Sequence, residues 1–414
     1  MTAPETHTLL KALQAGGAEV RFIGGCVRDS LLKRQRPAQD IDVALALPPD
    51  GVIELLRRAS IKVVPTGIDH GTVTAVIGSM HYEITTLRVD VESYGRRARV
   101  AFTDDWVADA ARRDFTFNAL SCTPEGDIYD YFGGLEDLSG GRVRFVGDPQ
   151  ARIAEDVLRL LRFFRFYAWY GQPPADEDAL VACRAWAAKV QTLSGERVRI
   201  ELLRTLMAPD PADVFQLMRD WEVLEHVLPE ADGIGRLRML CWLDSRAVQI
   251  ATVTADPIRR LAALLDTDAP GVAAIAERLR LSNHQRDRLQ AIAARSEPVL
   301  PDAGPAVIRC LLYRRGRETV RDLALLSWAG ELDSVPRLPR GRNEQWGALL
   351  HTIDEVPDVI FPLLGRDAIA AGVPAGPAVG AVLRQVEAWW EAGGCTAGRN
   401  ACLARLQDQI HART

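Results

Sequence analysis

The sequence lacks several features that would place it in a specialised class of proteins. None of its apolar runs reaches the length that a membrane span needs, so we expect no membrane partner. The first residues, MTAPETHTLL, show no basic segment followed by an apolar core, which argues against a secretory signal. The seven cysteines are scattered and form no C-x-x-C pair, a pattern typical of reduced thiols in a cytoplasmic protein.

Lysine is also scarce, since only four of the 50 basic residues are lysines and the rest are arginines. The chain of 414 residues carries a formal net charge of −5, which by itself argues against a nucleic-acid partner. Residues 142–204 differ, because they contain eleven basic and eight acidic side chains, a local net charge of +3. This local excess predicts that the phosphates of a nucleic acid contact that stretch.

The first stretch with chemical content is residues 22–42, FIGGCVRDSLLKRQRPAQDID. A short strand ends, two glycines follow, and a helix is predicted over residues 26–33. The glycines allow the backbone to approach a ligand closely, and main-chain N–H groups at the start of a helix attract phosphate. Arg28 lies about one turn further on and can add a charged fork. The pattern predicts that Gly24, Gly25 and Arg28 bind the phosphates of a nucleoside triphosphate.

Three carboxylates form a candidate catalytic metal site. Asp40 and Asp42 open the next predicted strand, and alternate strand residues project to the same side, so the two aspartates lie side by side. Neighbouring carboxylates repel each other unless a cation lies between them, and hard cations such as Mg²⁺ prefer carboxylate oxygens. Glu83, in the second strand of a hairpin predicted over residues 72–87, is the third candidate. Its alternative interpretation is a solvent-facing strand position.

The second motif, RRDFTFNA, lies inside a helix predicted over residues 106–120. Arg113 can contact the triphosphate, and Asp114 can hold its partner or accept a hydrogen bond from a ribose hydroxyl. Asn118 is a further candidate for nucleotide binding, although Asp114 and Asn118 are four residues apart and could simply stabilise the helix. The preceding residues, 89–105, are rich in charge and contain a glycine, which predicts a flexible loop.

The third motif, EDVLRLLRFFRF, lies in one long helix predicted over residues 153–169. Its other positions are apolar nearly all round, which is typical of a buried helix. Four charged residues nevertheless recur at every third position: Asp156, Arg159, Arg162 and Arg165. Because arginine is rarely buried without a partner, we expect these side chains to line a cavity that holds an anion or a base. The alternative is a set of surface arginines that form ion pairs while their stems are buried.

These three motifs, together with S-x-E-R-x-x-x-E-L at residues 194–202, closely resemble the signatures of the class II tRNA nucleotidyltransferase and bacterial poly(A) polymerase family. The resemblance implies an α+β fold with a polymerase-beta-like nucleotidyltransferase head, residues 1–141, followed by an all-helical neck, residues 142–205. The remaining residues, 206–414, are expected to form a helical body and tail that bind tRNA. Much of the chain beyond the fourth motif resembles the family only in being helical.

For the activity, the resemblance implies template-independent addition of CCA to the 3′ end of tRNA from CTP and ATP, with release of pyrophosphate. Two Mg²⁺ ions on Asp40 and Asp42 would activate the 3′-hydroxyl and stabilise the leaving group. The resemblance also assigns Asp156 and Arg159 to the Watson–Crick edge of the incoming base, and Arg162 and Arg165 to phosphate or sugar. The expected partners are the tRNA acceptor end, CTP and ATP.

Other activities share these motifs and stay open at this point. A poly(A) polymerase has the same head, although the long basic extensions that would favour it are missing from this acidic chain. Enzymes that add only CC or only A carry every motif as well. A non-catalytic RNA-binding module is disfavoured by the intact Asp40, Asp42 and Arg113. No His-Asp dipeptide occurs, so the metal-dependent phosphohydrolase domain of some bacterial relatives is not expected.

Overall fold

The computed structural model describes most of the chain. The described residues are 2–34, 41–94, 97–247, 250–293 and 299–412. Asp40 of the predicted metal site therefore lies outside the described residues, as do Gly95 and Arg96 of the predicted loop. The chain divides into two compact units: Met1–Ala208 with Asp213–Pro229, and Pro209–Ala212 with Glu230–Thr414. The division into head, neck, and body with tail stays a prediction.

The strands of the first unit build the sheet that positions the candidate site. In chain order they are β1 (Val20–Ile23), β2 (Ile41–Leu45), β3 (Lys62–Gly67), β4 (Thr72–Ile77), β5 (Met80–Thr86), β6 (Arg88–Tyr94), β7 (Arg97–Phe102), β8 (Ser121–Cys122) and β9 (Ile128–Tyr129). Seven of them form one sheet in the order β3-β4-β5-β2-β1-β8-β9, in which β2 and β5 pair in parallel. β4 and β5 pair antiparallel, which confirms the hairpin predicted over residues 72–87.

The helices of the first unit surround this sheet and continue the chain beyond it. They are α1 (Pro4–Gln14), α2 (Gly25–Leu31), α3 (Pro49–Arg58), α4 (Trp106–Ala111), α5 (Gly134–Ser139), α6 (Pro149–Glu155), α7 (Leu158–Tyr170), α8 (Glu177–Trp186), α9 (Gly195–Leu206), α10 (Ala212–Asp220) and α11 (Leu224–Val227).

The ring of Phe115 lies 4.7 Å from that of Phe145 and 5.1 Å from that of Phe166. The third motif is therefore buried against the second, as its apolar positions predict.

The second motif does not lie in a helix, so the helix predicted over residues 106–120 is wrong in its second half. α4 ends at Ala111, and Phe115 has an extended backbone with φ −124° and ψ 149°. A single 3-10 turn, Thr116–Asn118, follows. The reason is tertiary, because backbone hydrogen bonds and a β-bridge to the chain around Phe145 replace the helical hydrogen bonds.

The third motif is divided between two helices, so the single helix predicted over residues 153–169 is also wrong. α6 ends at Glu155 and α7 begins at Leu158. Asp156 lies between them with an extended backbone, φ −152° and ψ 107°, and its carboxylate accepts a hydrogen bond from the N–H of Leu158 at 3.1 Å. Aspartate side chains compete in this way for backbone N–H groups and so favour helix ends over helix interiors.

The flexible loop predicted over residues 89–105 is instead a two-stranded sheet over most of its length. β6 and β7 pair antiparallel, with Arg88 opposite Phe102 and Tyr94 opposite Arg97. The sequence alternates polar residues with valine, alanine and phenylalanine along much of both strands, a period of two that suits a pleated strand. The high charge of the segment favours a loop, whereas the alternation favours the strands that form.

The second unit is helical in its described residues, as predicted. Its helices are α12 (Ile234–Trp242), α13 (Pro257–Leu264), α14 (Ala269–Arg278), α15 (Asn283–Ala293), α16 (Pro305–Arg315), α17 (Arg317–Ser334), α18 (Arg342–Glu355), α19 (Gly365–Ala370), α20 (Pro377–Ala392) and α21 (Arg399–His411). Arg259 of α13 pairs with Asp244 and with Asp322 of α17, each at 2.9 Å. Arg288 of α15 also pairs with Asp322, so buried ion pairs connect three helices. Among the described residues, no helix is long and apolar enough to cross a membrane.

Candidate active site

The turn at Gly24 brings together residues from distant parts of the sequence. Gly24 has φ +66° and ψ −128°, a conformation that glycine adopts far more readily than other residues. A Cβ at this position would lie 3.5 Å from Nη1 of Arg113 and 3.7 Å from Oδ2 of Asp42. The turn between β1 and α2, the second motif and the aspartate of β2 therefore meet at one place, as the combined motifs predict.

Two of the predicted carboxylates project from the same face of the sheet. Asp42 of β2 and Glu83 of β5 are register partners across the parallel pair, and partner residues on adjacent strands point to the same side. Asp42 is half-buried and Glu83 is exposed. Two carboxylates on one face have the donor chemistry that hard divalent cations require. Within the described residues, no group of three acidic, histidine or cysteine side chains is arranged to hold a metal, and Asp40 lies outside them.

Arg113 is oriented by a buried carboxylate that the sequence analysis missed. Its Nη2 donates to Oδ2 of Asp109 at 3.2 Å, and Arg112 donates to the other oxygen of the same carboxylate at 2.9 Å. Burial alone would raise the pKa of Asp109, but the charges of Arg113 and Arg112 hold that pKa below its usual value. Asp109 therefore stays ionised. An acidic residue four positions before an arginine in a helix is the signal that could have found it.

Asp114 is buried at the centre of a polar network. Its Oδ1 accepts hydrogen bonds from the side chain of Asn118 and from the N–H of Phe115, each at 3.0 Å. Its Oδ2 accepts from Nε of Arg162 at 2.6 Å. Burial would raise the pKa of Asp114, but the charge of Arg162 and the hydrogen bond from Asn118 hold the pKa below its usual value. Asp114 and Asn118 are hydrogen-bonded, but no α-helix joins them, so the alternative in which they stabilise a helix is wrong.

Arg28 lies inside the first unit, and only 4% of its surface is exposed. Its Nη1 donates to Oδ1 of Asn118 at 2.6 Å, and its Nε donates to the neighbouring Asp29 at 3.0 Å. The guanidinium also lies 4.3 Å from the ring centre of Tyr170, at the end of α7. These contacts give Arg28 a packing role between α2, the second motif and α7. Its predicted role in phosphate binding stays a prediction.

The two residues assigned to the base edge are held by different partners. Oδ2 of Asp156 accepts a hydrogen bond from Nη2 of Arg197, in α9, at 2.7 Å. Arg159 forms an ion pair with Glu155 and donates from Nη2 to the carbonyl oxygen of Arg112 at 3.1 Å. Arg197 and Glu155 were not among the predicted site residues. Both lie in quoted motifs, but their pairing depends on the break between α6 and α7.

The remaining two arginines of the third motif are also paired. Arg162 contacts Asp114, and Arg165 forms an ion pair with Glu201 of α9 at 2.8 Å. Burial lowers the pKa of Arg165 to about 10, which the charge of Glu201 opposes. The pairing fits the expectation that buried arginines need partners. It joins α7 to α9 and to the second motif, so the charged positions of α7 fix its neighbours in place.

Comparison with known proteins identifies the family. The family model described as the poly A polymerase head domain matches residues 20–144, and the model described as the probable RNA and SrmB-binding site of polymerase A matches residues 176–234. The human protein "CCA tRNA nucleotidyltransferase 1, mitochondrial" is 32% identical over 402 residues, which cover 94% of this chain and 86% of the relative. The chain belongs to the CCA tRNA nucleotidyltransferase family.

Other CCA-adding enzymes are also similar to this chain in sequence or in structure. The CCA-adding enzyme of Streptococcus gordonii is 39% identical over 244 residues, or 58% of this chain and 59% of that protein. The structure of the Bacillus stearothermophilus CCA-adding enzyme in complex with CTP superimposes with a TM-score of 0.77 at 25% identity, over 100% of this chain and 99% of the other. The predicted α+β fold, with a polymerase-beta-like head and a helical remainder, is thereby confirmed. Membership of the family also suggests the use of a divalent metal.

Proposed function

We propose that this chain adds CCA to the 3′ end of tRNA, taking CTP and ATP and releasing pyrophosphate. The observation that carries the proposal is the convergence of Gly24, Arg113 and Asp42 at one turn. The similarity to CCA tRNA nucleotidyltransferases over 94% of the chain supports it. Open backbone, a guanidinium and a carboxylate in one place suit a triphosphate that carries a metal ion.

The triphosphate lies, in this proposal, between the backbone at Gly24 and the side chain of Arg113. The missing side chain of Gly24 leaves room for a phosphate beside both Arg113 and Asp42. Asp109 holds the guanidinium of Arg113 in a fixed direction, so little reorganisation is needed when the negative charge of the triphosphate arrives. Gly25 follows directly after the turn, and a Cβ there would lie 3.5 Å from Nη2 of Arg28.

We also propose that the metal is Mg²⁺, held by Asp40 and Asp42 with Glu83 beside them. When bound, two such ions would activate the 3′-hydroxyl of the RNA and stabilise the leaving pyrophosphate. The shared face of Asp42 and Glu83 supports the assignment. The contribution of the protein is to fix the carboxylates of Asp42 and Glu83 on adjacent strands of one sheet, with Asp42 next to the turn that receives the triphosphate.

Base selection belongs to Asp156 and Arg159 in this proposal. A carboxylate accepts a hydrogen bond from the exocyclic amine that cytosine and adenine share, and a guanidinium donates to a ring nitrogen or carbonyl oxygen. Uracil and guanine present the opposite pattern at one or more positions, so a buried group would lose its partner. The ion pair with Arg197 supports this role, because it fixes the direction of the carboxylate of Asp156.

The acceptor end of tRNA lies against the neck in this proposal, although ion pairs use most of the positive charge there. The paired arginines of this stretch are Arg142, Arg144, Arg152, Arg159, Arg162, Arg165, Arg184 and Arg197. Lys189 and Arg204 are exposed and, within the part of the chain that the structure describes, form no ion pair. These two side chains are the first candidates for contacts with tRNA phosphates.

The cysteines support a cytoplasmic location for this activity. All seven are free thiols in the structure. Burial raises the pKa of Cys26, whose Sγ lies 3.6 Å from the carbonyl oxygen of Asp42, to about 11, so this thiol stays protonated beside the site. Protonated, buried thiols are unreactive, and unpaired cysteines are typical of a reducing compartment.

The decisive experiment is one incubation of the protein with tRNA that ends at the discriminator base. CTP and ATP are supplied separately or together, with Mg²⁺ present in every reaction. The products are then sequenced. The proposal expects CC with CTP alone and CCA with both nucleotides. A long run of adenosines with ATP alone would identify a poly(A) polymerase, and a product that stops at CC, or that needs a pre-existing CC, would identify a partial enzyme. No extension under any condition would refute catalysis.

A further inference from the structure

Three arginines from α6 and α7 contact residues 111–114, which include the end of α4 and the start of the second motif. The contacts are Arg152 Nη1 with the carbonyl oxygen of Ala111 at 3.1 Å, Arg159 Nη2 with that of Arg112 at 3.1 Å, and Arg162 Nε with Oδ2 of Asp114 at 2.6 Å. Arg113 lies inside the same stretch and faces the turn at Gly24. The helices that carry the base-selecting residues are therefore fastened to the segment that faces the triphosphate.

Arg152 has no role in the proposed reaction, yet it contacts both the end of α4 and Arg159. Its Nη2 pairs with Oε1 of Glu155 at 2.9 Å. The other oxygen of that carboxylate pairs with Nη1 of Arg159. The same Nη1 donates to the carbonyl oxygen of Arg152 at 3.1 Å. Arg152 therefore holds Arg159 twice, once through its own backbone and once through the shared carboxylate of Glu155.

The position of Arg152 is itself fixed by the carboxyl end of α4. The last carbonyl oxygens of a helix have no partner within the helix, and a positive charge near them is stabilising. Arg152 supplies both a donor and a charge to the carbonyl oxygen of Ala111. Its side chain is only 20% exposed, so the contact is shielded from water. In the proposed function, the end of α4 contacts no nucleotide, whereas Arg159 does. Arg152 connects the two.

We propose that Arg152 is a positioning residue for base selection, which sets the direction of Arg159 by holding Glu155 and by offering its own carbonyl oxygen. The inference rests on the proposed function, in which Arg159 donates to the base. Without the guanidinium of Arg152, the carboxylate of Glu155 has one cationic neighbour instead of two and draws Arg159 toward itself. A misplacement of about 1 Å can cost up to about 100-fold in rate, so a modest shift of Arg159 is enough to weaken selection.

The test uses three substitutions of Arg152 in the full-length protein. Arg152→Met keeps the aliphatic stem and removes both contacts of the guanidinium. Arg152→Lys keeps a positive charge for Glu155, and Arg152→Gln keeps a neutral donor without the charge. Arg184→Met is the matched control, because it removes an exposed ion pair with Glu222 in the same unit. Single-nucleotide incorporation is measured for each of the four nucleotides, with kcat and KM determined separately.

Arg152→Met and Arg152→Gln are expected to reduce the CTP:UTP ratio of kcat/KM by about tenfold, within the range that misplacement of a binding group produces. Arg152→Lys should restore most of the ratio, and Arg184→Met should leave it unchanged. A structural role alone would lower the thermal midpoint and kcat for all nucleotides together. The Lys and Gln variants keep the comparison open if the Met variant does not fold.

The inference is overturned if the ratio is unchanged in Arg152→Met and Arg152→Gln, whatever happens to kcat or thermal stability. It is also overturned if Arg152→Lys is as unselective as Arg152→Gln, since the charge on Glu155 would then be irrelevant. Failure of the proposed function looks different. In that case the wild-type protein itself would not extend tRNA, or Arg159→Ala would leave the CTP:UTP ratio at its wild-type value.

Discussion

Asp42 and Glu83 are register partners on the adjacent parallel strands β2 and β5, although 41 residues separate them in the sequence. Their carboxylates consequently project from the same face, and that of Asp42 lies beside the turn at Gly24. Each carboxylate belongs to its own strand, so each can be substituted separately. The pair therefore allows the metal assignment to be tested one carboxylate at a time.

We predict that Asp42→Asn abolishes nucleotide incorporation while leaving the fold and tRNA binding nearly intact. The substitution keeps the size and hydrogen-bonding capacity of the side chain but removes the charge that a hard cation needs. Activity is measured as CMP incorporation into tRNA over a range of Mg²⁺ concentrations, and folding by thermal melting. Asp50→Asn, an exposed position at the start of α3, is the control and should stay active. Near-normal turnover of Asp42→Asn with Mg²⁺ would show that the metal assignment is wrong.

We predict that Gly24→Ala reduces nucleotide use far more than the equivalent change at Gly78. Both glycines have positive φ, +66° and +61°, so both substitutions strain the backbone. The new methyl group at Gly24 would lie against Arg113 and Asp42, whereas nothing lies within 4 Å of one at Gly78. A raised KM for CTP is expected in Gly24→Ala alone. Equal KM values in both variants would exclude phosphate binding at this turn.

The sequence was sufficient for those parts of the first unit whose signal is local. The hairpin of β4 and β5 was predictable from its alternation and its Gly78-Ser79 turn, and the glycine turn was predictable from adjacent residues. The break at Asp156 was not, because α6 and α7 together have a continuous helical pattern. The burial of Arg28 was not predictable either, since its partner Asn118 lies 90 residues away.

The ion pairs of the neck were likewise not predictable from the sequence. The composition of residues 142–204 predicts a basic stretch. In the structure, however, ion pairs neutralise most of that positive charge. Several of the carboxylates involved lie outside the stretch, among them Asp114 and Glu222. Net charge in a window of sequence cannot register such partners, because they come from elsewhere in the fold. Which cations of the neck are unpaired is therefore visible only in three dimensions.

We predict that Lys189→Ala combined with Arg204→Ala weakens tRNA binding and lowers its dependence on salt. Each cation that contacts a phosphate releases about one counterion, so the slope of log affinity against log salt should fall by about two. The affinity for tRNA is measured between low and moderate salt for both proteins. Arg184→Ala removes an arginine that is already paired and should leave the slope unchanged. A flat affinity for the wild-type protein would argue against any phosphate-tracking surface here.

We predict that the first unit loses stability as the pH falls below about 4, the ordinary range of an aspartate pKa. The pKa of Asp114 is held below its usual value in the folded protein by the charge of Arg162, against the effect of burial. Its contribution is therefore complete above the pKa of the unfolded chain and is lost as the pH falls through the folded pKa. Thermal midpoints of the wild type and Asp114→Asn between pH 7 and pH 3 should converge toward the acid end. A constant difference across this range would contradict the assignment.

The last prediction separates base reading from a purely structural role for the third motif. Asp156→Ala should relax discrimination against UTP and GTP and also slow the use of CTP and ATP. The substitution removes the acceptor for the exocyclic amine, and it leaves Arg197 without its partner at 2.7 Å. An unpaired polar group costs about 1–3 kcal/mol, which corresponds to roughly fivefold to 150-fold in selectivity.

Arg162→Ala is the matched comparison on the same helix. Arg162 contacts Asp114 and lies one turn beyond Arg159, so its loss should depress all four nucleotides alike. Each nucleotide is supplied separately to tRNA that lacks its 3′ end, and the ratio of CTP to UTP incorporation is compared between the two variants. Asp156→Ala must change this ratio while Arg162→Ala does not. If Asp156→Ala only lowered the thermal midpoint and kept the wild-type ratio, Asp156 would serve the helix break alone, and base selection would have to lie elsewhere.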